Sequence, residues 1–304
     1  MRGQHHGQIA CGTIAVKSIE RSVSLYCDYL HQDVLEEGKV SPELATVWGA
    51  PNTIGARYAV LQPPEGGDSM LRLVQTEPTS RHVPAKSLGW NAFEFTVRDV
   101  FALAEALAPS DFDIVGPPRL VDGFTSFIPM QVFGPDGEVL FLNQVNHSDD
   151  DADLPKTQST VGQIFIVVLA SGERQRSVAD YARYLNLQEA ATHSLRYSLV
   201  NRAFDLPADT LQTITMVQNG RTPFLQVDQY PASATPRVCA NGELPAGNAM
   251  VSVFVDSFDQ LPPDGMALSA PGEFDGALYQ GCRTQVIRGA ASELIELIEI
   301  RSDH

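Results

Sequence analysis

The stretch Arg21-Ser-Val-Ser-Leu-Tyr-Cys-Asp-Tyr-Leu30 returns as Arg176-Ser-Val-Ala-Asp-Tyr-Ala-Arg-Tyr-Leu185. Arg, Ser, Val, Tyr, Tyr and Leu recur at an offset of 155 residues. In both copies apolar residues fall at i, i+3, i+4 and i+7: Val23, Tyr26, Cys27 and Leu30, then Val178, Tyr181, Ala182 and Leu185. That spacing predicts an amphipathic helix with one buried stripe. An apolar run precedes each helix, Gly12-Thr-Ile-Ala-Val16 and Ile164-Phe-Ile-Val-Val-Leu169, and reads as a strand. Self-similarity at a fixed period marks a duplicated architecture.

A second pair agrees. Asn91-Ala-Phe-Glu-Phe-Thr-Val-Arg-Asp-Val-Phe101 matches Asn248-Ala-Met-Val-Ser-Val-Phe-Val-Asp-Ser-Phe258 at an offset of 157. Phe93, Phe95 and Val97 alternate with Glu94, Thr96 and Arg98, which predicts a half-buried strand. The helical stretch Phe101-Ala-Leu-Ala-Glu-Ala-Leu107 follows it. Strand candidates after each helix include 56–61, 70–75, 137–142, 211–216, 224–227 and 294–299. The chain therefore reads as four β-α-β-β-β modules. The acidic stretch His147-Ser-Asp-Asp-Asp-Ala-Asp-Leu-Pro155 opposes packing and reads as a solvated tether. With a linker at 147–158, the N-terminal half is 1–146 (modules 8–78 and 87–146) and the C-terminal half is 159–304 (modules 160–232 and 246–302).

Composition narrows the function classes. The 304 residues are 43% hydrophobic and 19% charged, enough to bury sizeable cores. A net charge of −16 argues against binding nucleic acid or anionic membranes. No apolar run approaches the ~18 residues of a membrane span. The start MRGQHHGQIACG has no secretory h-region, and Cys11, Cys27, Cys239 and Cys282 are scattered, so a reducing cytoplasm is expected. There is no Walker A motif, no GxGxxG after a strand, no HExxH and no GxSxG.

Four such modules in tandem pairs resemble the vicinal oxygen chelate superfamily, which includes glyoxalase I, bleomycin-resistance proteins and extradiol dioxygenases. The resemblance is carried by the strand-to-helix entries Ile14 to Tyr26 and Ala92 to Asp99, and by the closing strands Gly134-Pro-Asp-Gly-Glu-Val-Leu-Phe-Leu142 and Ser292-Glu-Leu-Ile-Glu-Leu297. It implies an α+β fold of two tandem glyoxalase-like domains. Each domain would curl a U-shaped mixed sheet around a cavity, with a divalent metal held from the first and last strands of its modules.

Mapped onto this chain, those ligand positions are depleted. The N-terminal half offers Cys11, Arg72, Ala92 and Phe141, and a guanidinium, a methyl and a phenyl group cannot ligate a cation. The C-terminal half offers Gln163, Gln226, Ala249 and Glu296. No cofactor is the expectation, with an oxygen-ligated divalent metal on Gln163, Gln226 and Glu296 as the alternative. Glu296 is the candidate catalytic acid or base, and His193 a second catalytic or binding candidate. Gln163 and Gln226 would hydrogen-bond substrate oxygens, and Arg72 would anchor a carboxylate or enolate. Cys11 reads as a small apolar filler or a substrate contact. Phe141 and Trp90 are among the aromatics available to line a cup that has lost its metal.

The first functional reading is an enzyme of aromatic catabolism or carbonyl metabolism. It would act on a small hydrophobic or aromatic molecule by lyase, isomerase or ring-opening chemistry. One alternative is a non-catalytic, drug-sequestering binding protein. Another is an extradiol-type dioxygenase with an unusual metal site. A third reading makes one half purely structural, a role that suits the N-terminal half, with an interface that a homo-oligomer could use.

Overall fold

The computed structural model describes residues 5–77, 82–120, 125–148, 152–237, 239, 241–260 and 267–300. The first module runs β1 (Ile9–Val16), α1 (Ile19–Leu30), β2 (Asp33–Lys39), α2 (Pro42–Val47), β3 (Arg57–Gln62) and β4 (Met70–Gln75). The second is β5 (Gly89–Val97), α3 (Val100–Leu107), β6 (Asp113–Gly116), β7 (Phe127–Phe133) and β8 (Val139–Val145). The third is β9 (Val161–Ser171), α4 (Arg174–Tyr184), β10 (Gln188–Arg196), α5 (Ser198–Ala203), β11 (Leu211–Asn219) and β12 (Thr222–Gln229). The fourth has β13 (Gly247–Val255), β14 (Gly272–Glu273), β15 (Arg283–Arg288) and β16 (Leu294–Glu299).

The strand-to-helix turns are set by capping side chains. Ser18 Oγ accepts from Arg21 N, and Asp99 Oδ1 accepts from the N–H groups of Phe101 and Ala102. The buried stripe of α1 comprises Ile19, Ser22, Leu25, Tyr26 and Leu30, turned slightly from the expected Val23–Cys27 line. The fourth module departs from the expected pattern. After β13 only the short 3-10 turn Phe258–Gln260 is described, and 261–266 lie outside the described residues.

Two mixed eight-stranded sheets result, in the orders β14-β15-β16-β13-β1-β4-β3-β2 and β10-β11-β12-β9-β5-β8-β7-β6. The first sheet therefore joins module one to module four, and the second joins module two to module three. The expectation that each cup belongs to one sequence half is corrected accordingly. At the seams β1 runs antiparallel to β13, and β5 antiparallel to β9. Cross-strand pairing, rather than proximity along the chain, decides which side chains share a cup.

One face of each sheet contributes to a shared core that includes Ile14, Val16, Phe93, Phe95, Ile164, Val251 and Leu297, with α1, α3 and α4 packed into it. The other face of the first sheet has its own cluster around Cys11, Trp48, Met250 and Tyr279. The other face of the second sheet is lined by Ala92, Phe141, Val168 and Tyr197. The sheets meet closely at Gly12, where an added Cβ would lie 2.7 Å from the Phe93 ring and 2.8 Å from Ile164. Only a glycine leaves that space for the facing strand.

The 155-residue repeat also carries a polar tie between the sheets. Tyr26 OH donates to Glu138 Oε1 at 3.3 Å, and Tyr181 OH donates to Glu293 Oε1 at 3.1 Å. In each case a helix tyrosine of one sheet reaches a glutamate of the other.

Candidate functional site

The concave face of the first sheet is filled. Its centre is set by register, with Thr13 opposite Arg72 and Ser252 opposite Glu296. Arg72 NH2 donates to Glu296 Oε2 at 2.9 Å, and both side chains are buried. Glu296 Oε1 accepts from Trp48 Nε1 at 2.7 Å and from Tyr279 OH at 2.8 Å, while Ser252 Oγ donates to Oε2. Arg72 donates from Nε and NH2 to Thr13 Oγ1 at 3.0 and 2.9 Å, donates to Tyr279 OH, and stacks 4.5 Å from the Trp48 ring. Burial is the largest single influence on Arg72 and works against its charge, but Glu296, Tyr279 and Cys11 together outweigh it, so the guanidinium holds its proton above the ordinary arginine range. Trp48, at the end of α2, and Tyr279, before β15, supply the bulk that closes this cup. Burial pushes the Cys11 thiol up to about 12, which leaves it inert as a nucleophile.

The second cup is open. A cavity of about 370 Å³ lies on the concave face of the second sheet. Phe127, Phe141, Phe165, Ile166, Ile214 and Met216 give it a largely apolar wall. Glu94 is the only carboxylic acid among the described lining residues. It sits on central strand β5 with β8 and β9 on either side, opposite Phe141 and Ile166. Asn143 Nδ2 donates to Glu94 Oε2 at 2.6 Å. Burial raises Glu94 to about 7, and the Asn143 bond opposes the rise. Beside it, Gln226 Nε2 donates to Asp228 Oδ1 at 2.7 Å. Burial pushes Asp228 well above the usual carboxylate range, and the charge of Glu94 adds to that effect. Among the described residues, Asn143 Oδ1 and Tyr197 OH are buried without hydrogen-bond partners. Both residues line the cavity, so its inner end presents polar atoms that a ligand could satisfy.

These positions redistribute the residues expected from sequence. His193, Gln226 and Phe141 come together in the second cup, with the Phe141 and Tyr197 ring centroids 6.3 Å apart. Glu296, Arg72 and Cys11 are enclosed in the first cup, away from the cavity. Gln163 lies at the start of β9, where its Oε1 accepts from Asp68 N at 2.8 Å. Trp90 is packed between the sheets and donates from Nε1 to Leu294 O at 2.7 Å, so it does not line the cavity. The tether is not simply solvated either. His147, Ala152 and Leu154 line the cavity, and 149–151 lie outside the described residues.

Glu94 was missed for two reasons. Counting back from the helix entries gave Cys11 and Ala92, two residues short of the cup centres at Thr13 and Glu94. The alternation of β5 also assigned Glu94 to a solvent face, whereas every residue of that strand is buried because both faces of the sheet are covered. A carboxylate within the apolar run Ala92-Phe-Glu-Phe-Thr-Val97 was the available signal.

The described residues at the expected ligand positions do not suit a divalent cation. Gln163, Gln226 and Glu296 cannot share an ion, because Glu296 belongs to the other sheet. The centre of the first cup holds a guanidinium, which would repel a cation. Among the described residues, no three His, Cys, Asp or Glu side chains converge.

No family model matches the sequence, and no curated protein matches it. Solved structures do. Glyoxalase I from Zea mays superposes with a TM-score of 0.64 at 17% identity, covering 96% of this chain and 92% of that one. A candidate dioxygenase from Bacillus subtilis superposes with a TM-score of 0.61 at 9% identity, covering 98% of this chain and 86% of that one. Among the described residues no helix is long and apolar enough to cross a membrane. With four repeated modules, two curled mixed sheets and nearly full-length superposition on glyoxalase I, the chain has the two-domain vicinal oxygen chelate fold.

Proposed function

We propose that the chain is an enzyme whose active site is the second cup, and that it moves a proton on a small apolar or aromatic carbonyl compound without a metal. The observation that supports this reading most is Glu94. A carboxyl group held at about 7 in an apolar cavity is divided between acid and base forms near neutral pH. Its ionised form takes a proton from the carbon next to a carbonyl, leaving an enolate. Returning that proton to the opposite face of the same carbon inverts its configuration; in an α-hydroxyketone, where the hydroxyl proton also passes to the carbonyl oxygen, returning it to the neighbouring carbon moves the carbonyl by one carbon, and either isomerisation consumes no further reactant. Asn143 orients the carboxyl through its 2.6 Å bond, and Tyr197 OH, which lines the same cavity, would donate to the carbonyl oxygen. The apolar wall excludes water and strengthens each of these interactions.

The test is hydrogen exchange in deuterium oxide. A panel of aryl ketones and aryl α-hydroxyketones is incubated with the protein, and loss of the α-proton NMR signal is followed. Exchange above background is expected in the wild type after exhaustive chelation. It should disappear in Glu94→Gln and persist in Glu296→Gln. Saturable binding with no exchange for any compound would favour the sequestering protein instead. Exchange that stops on chelation and returns with a divalent ion would defeat the metal-free reading.

A further inference from the structure

We propose that Asn143 sets the specificity of the second cup: its Oδ1 accepts a hydrogen bond from a neutral donor, a hydroxyl or an acylated N–H, on the carbon that gives its proton to Glu94. This deepens the proton-moving reading and rests on it. Asn143 sits on β8, with β5 and β7 on either side. It is 1% exposed, so solvent does not serve its side chain. Its Nδ2 donates to Glu94 Oε2 at 2.6 Å, and among the described residues its Oδ1 accepts from nothing.

The register shows why that oxygen is left over. Opposite Asn143 on β7 stands Pro129, which has no N–H. Opposite it on β5 stands Thr96, whose hydroxyl also has no partner and so does not donate to Oδ1. Nor can the amide turn round while Glu94 is ionised. A carboxylate only accepts, so the amide must present its NH2 group and keep its oxygen for another donor. Asn143 and Glu94 both line the cavity. The cup thus holds a base and, beside it, an unmet acceptor.

The two polar atoms of an amide share one carbon, so this acceptor lies next to the carboxyl. The ligand's donor must then lie next to its reacting carbon, and a substituent on that carbon meets the requirement. In the step itself the carboxylate takes the carbon-bound proton, the C–H electron pair becomes the carbon–carbon double bond, and the carbonyl pair moves to its oxygen. The hydroxyl or N–H keeps its own proton in that step, held on Oδ1. The folded chain already carries the cost of a buried acceptor without a donor, and a ligand that supplies the donor recovers it. An ether or a tertiary amide in that place supplies no donor and leaves the cost as it was.

The experiment follows α-proton exchange in deuterium oxide, after chelation, for propiophenones substituted at the α-carbon by hydroxyl, methoxy, formamido or N-methylformamido. Within each pair a methyl group removes the donor. Each kcat/KM is divided by the exchange rate of the same compound in buffer alone, which removes differences in carbon acidity. In at least one pair the donor-bearing compound should exchange about 5- to 100-fold faster, the range set by one buried acceptor gaining a donor. The pair that shows this says whether the hydroxyl or the N–H is the group recognised. Asn143→Leu keeps similar bulk and removes both polar atoms. It should move the pH profile of every compound upward, because the Asn143 bond holds Glu94 down, and bring the ratio within each pair to near unity. Ratios near unity in both wild-type pairs would overturn the role of Asn143 and leave the proton-moving reading standing. A ratio retained in Asn143→Leu would do the same, since bulk rather than the donor would then set it. Exchange of none of the four compounds would overturn both. The wild-type ratios need no variant, so they decide the matter even if Asn143→Leu fails to fold.

Discussion

Replacing Arg72 with Met tests whether the first cup is a structural plug. Methionine keeps much of the side-chain length but removes the charge from a site where both Arg72 and Glu296 are buried. The Glu296 carboxylate would keep the donors Trp48, Tyr279 and Ser252 and lose the countercharge of Arg72. Breaking a buried ion pair from one side costs about 3–5 kcal/mol. Loss of the cation stacked 4.5 Å from Trp48 adds to this. At ~2–4 °C per kcal/mol for a chain of this size, the melting temperature should fall by roughly 10 °C. The double variant Arg72→Met with Glu296→Gln should recover a substantial part of that loss. The amide restores neutrality, and its oxygen still accepts from Trp48 Nε1 or Tyr279 OH. Urea titrations of the wild type, both single variants and the double variant give the coupling energy directly. A melting temperature for Arg72→Met within 1 °C of the wild type would refute the plug. So would α-proton exchange that vanishes in a fully stable Glu296→Gln variant, which would return the proton-moving role to Glu296.

Two further perturbations address the frame itself. Glu138 and Glu293 are both raised to about 7 by burial. Between the unfolded value near 4.5 and about 7 the folded chain binds more protons, so stability falls as pH rises. The fall is at most roughly 3 kcal/mol for each group. Urea midpoints should therefore decrease from pH 5 to pH 8, less steeply in the Glu138→Gln, Glu293→Gln double variant; an equal slope in that variant would remove these two groups as the cause. Gly12→Ala places a methyl 2.7 Å from the Phe93 ring, and overpacking of this kind costs about 1–3 kcal/mol. A destabilisation below 0.5 kcal/mol would show that the sheets can separate locally at this point.

The fold was legible because its signals are local and repeated. The Arg21–Leu30 and Arg176–Leu185 copies became α1 and α4 together with the turns around them, and the apolar runs became the central strands. Sheet pairing was not legible in the same way. A 155-residue offset shows that the two halves are copies but not which edges meet, and β1 pairs with β13 rather than with a strand of its own half. That pairing brought Arg72 and Glu296 within 2.9 Å, although they had been assigned to different cups. Their opposite charges at matching repeat positions hinted at a pair, but only the register establishes it. Glu94 was obscured by the same non-local effect. Alternation along β5 assigns a polar face, while the second cup decides that this face is a cavity wall instead of solvent.

The two cups show how one frame supports opposite outcomes. By register, Thr13, Arg72, Ser252 and Glu296 in the first correspond to Glu94, Phe141, Val168 and Gln226 in the second. The first set contains a cation and an anion, which neutralise each other within the chain and allow Trp48 and Tyr279 to close over them. The second contains one carboxyl among apolar neighbours, with no internal cation to pair with it. Desolvation then raises that carboxyl toward neutrality, and the volume left beside it stays open. Gly12 lies beside Thr13 of the filled cup and packs against Phe93, which immediately precedes Glu94 on β5. The back of the strand that carries Glu94 is thus in contact with the strand that carries Thr13, so the two cups share one packed layer of side chains.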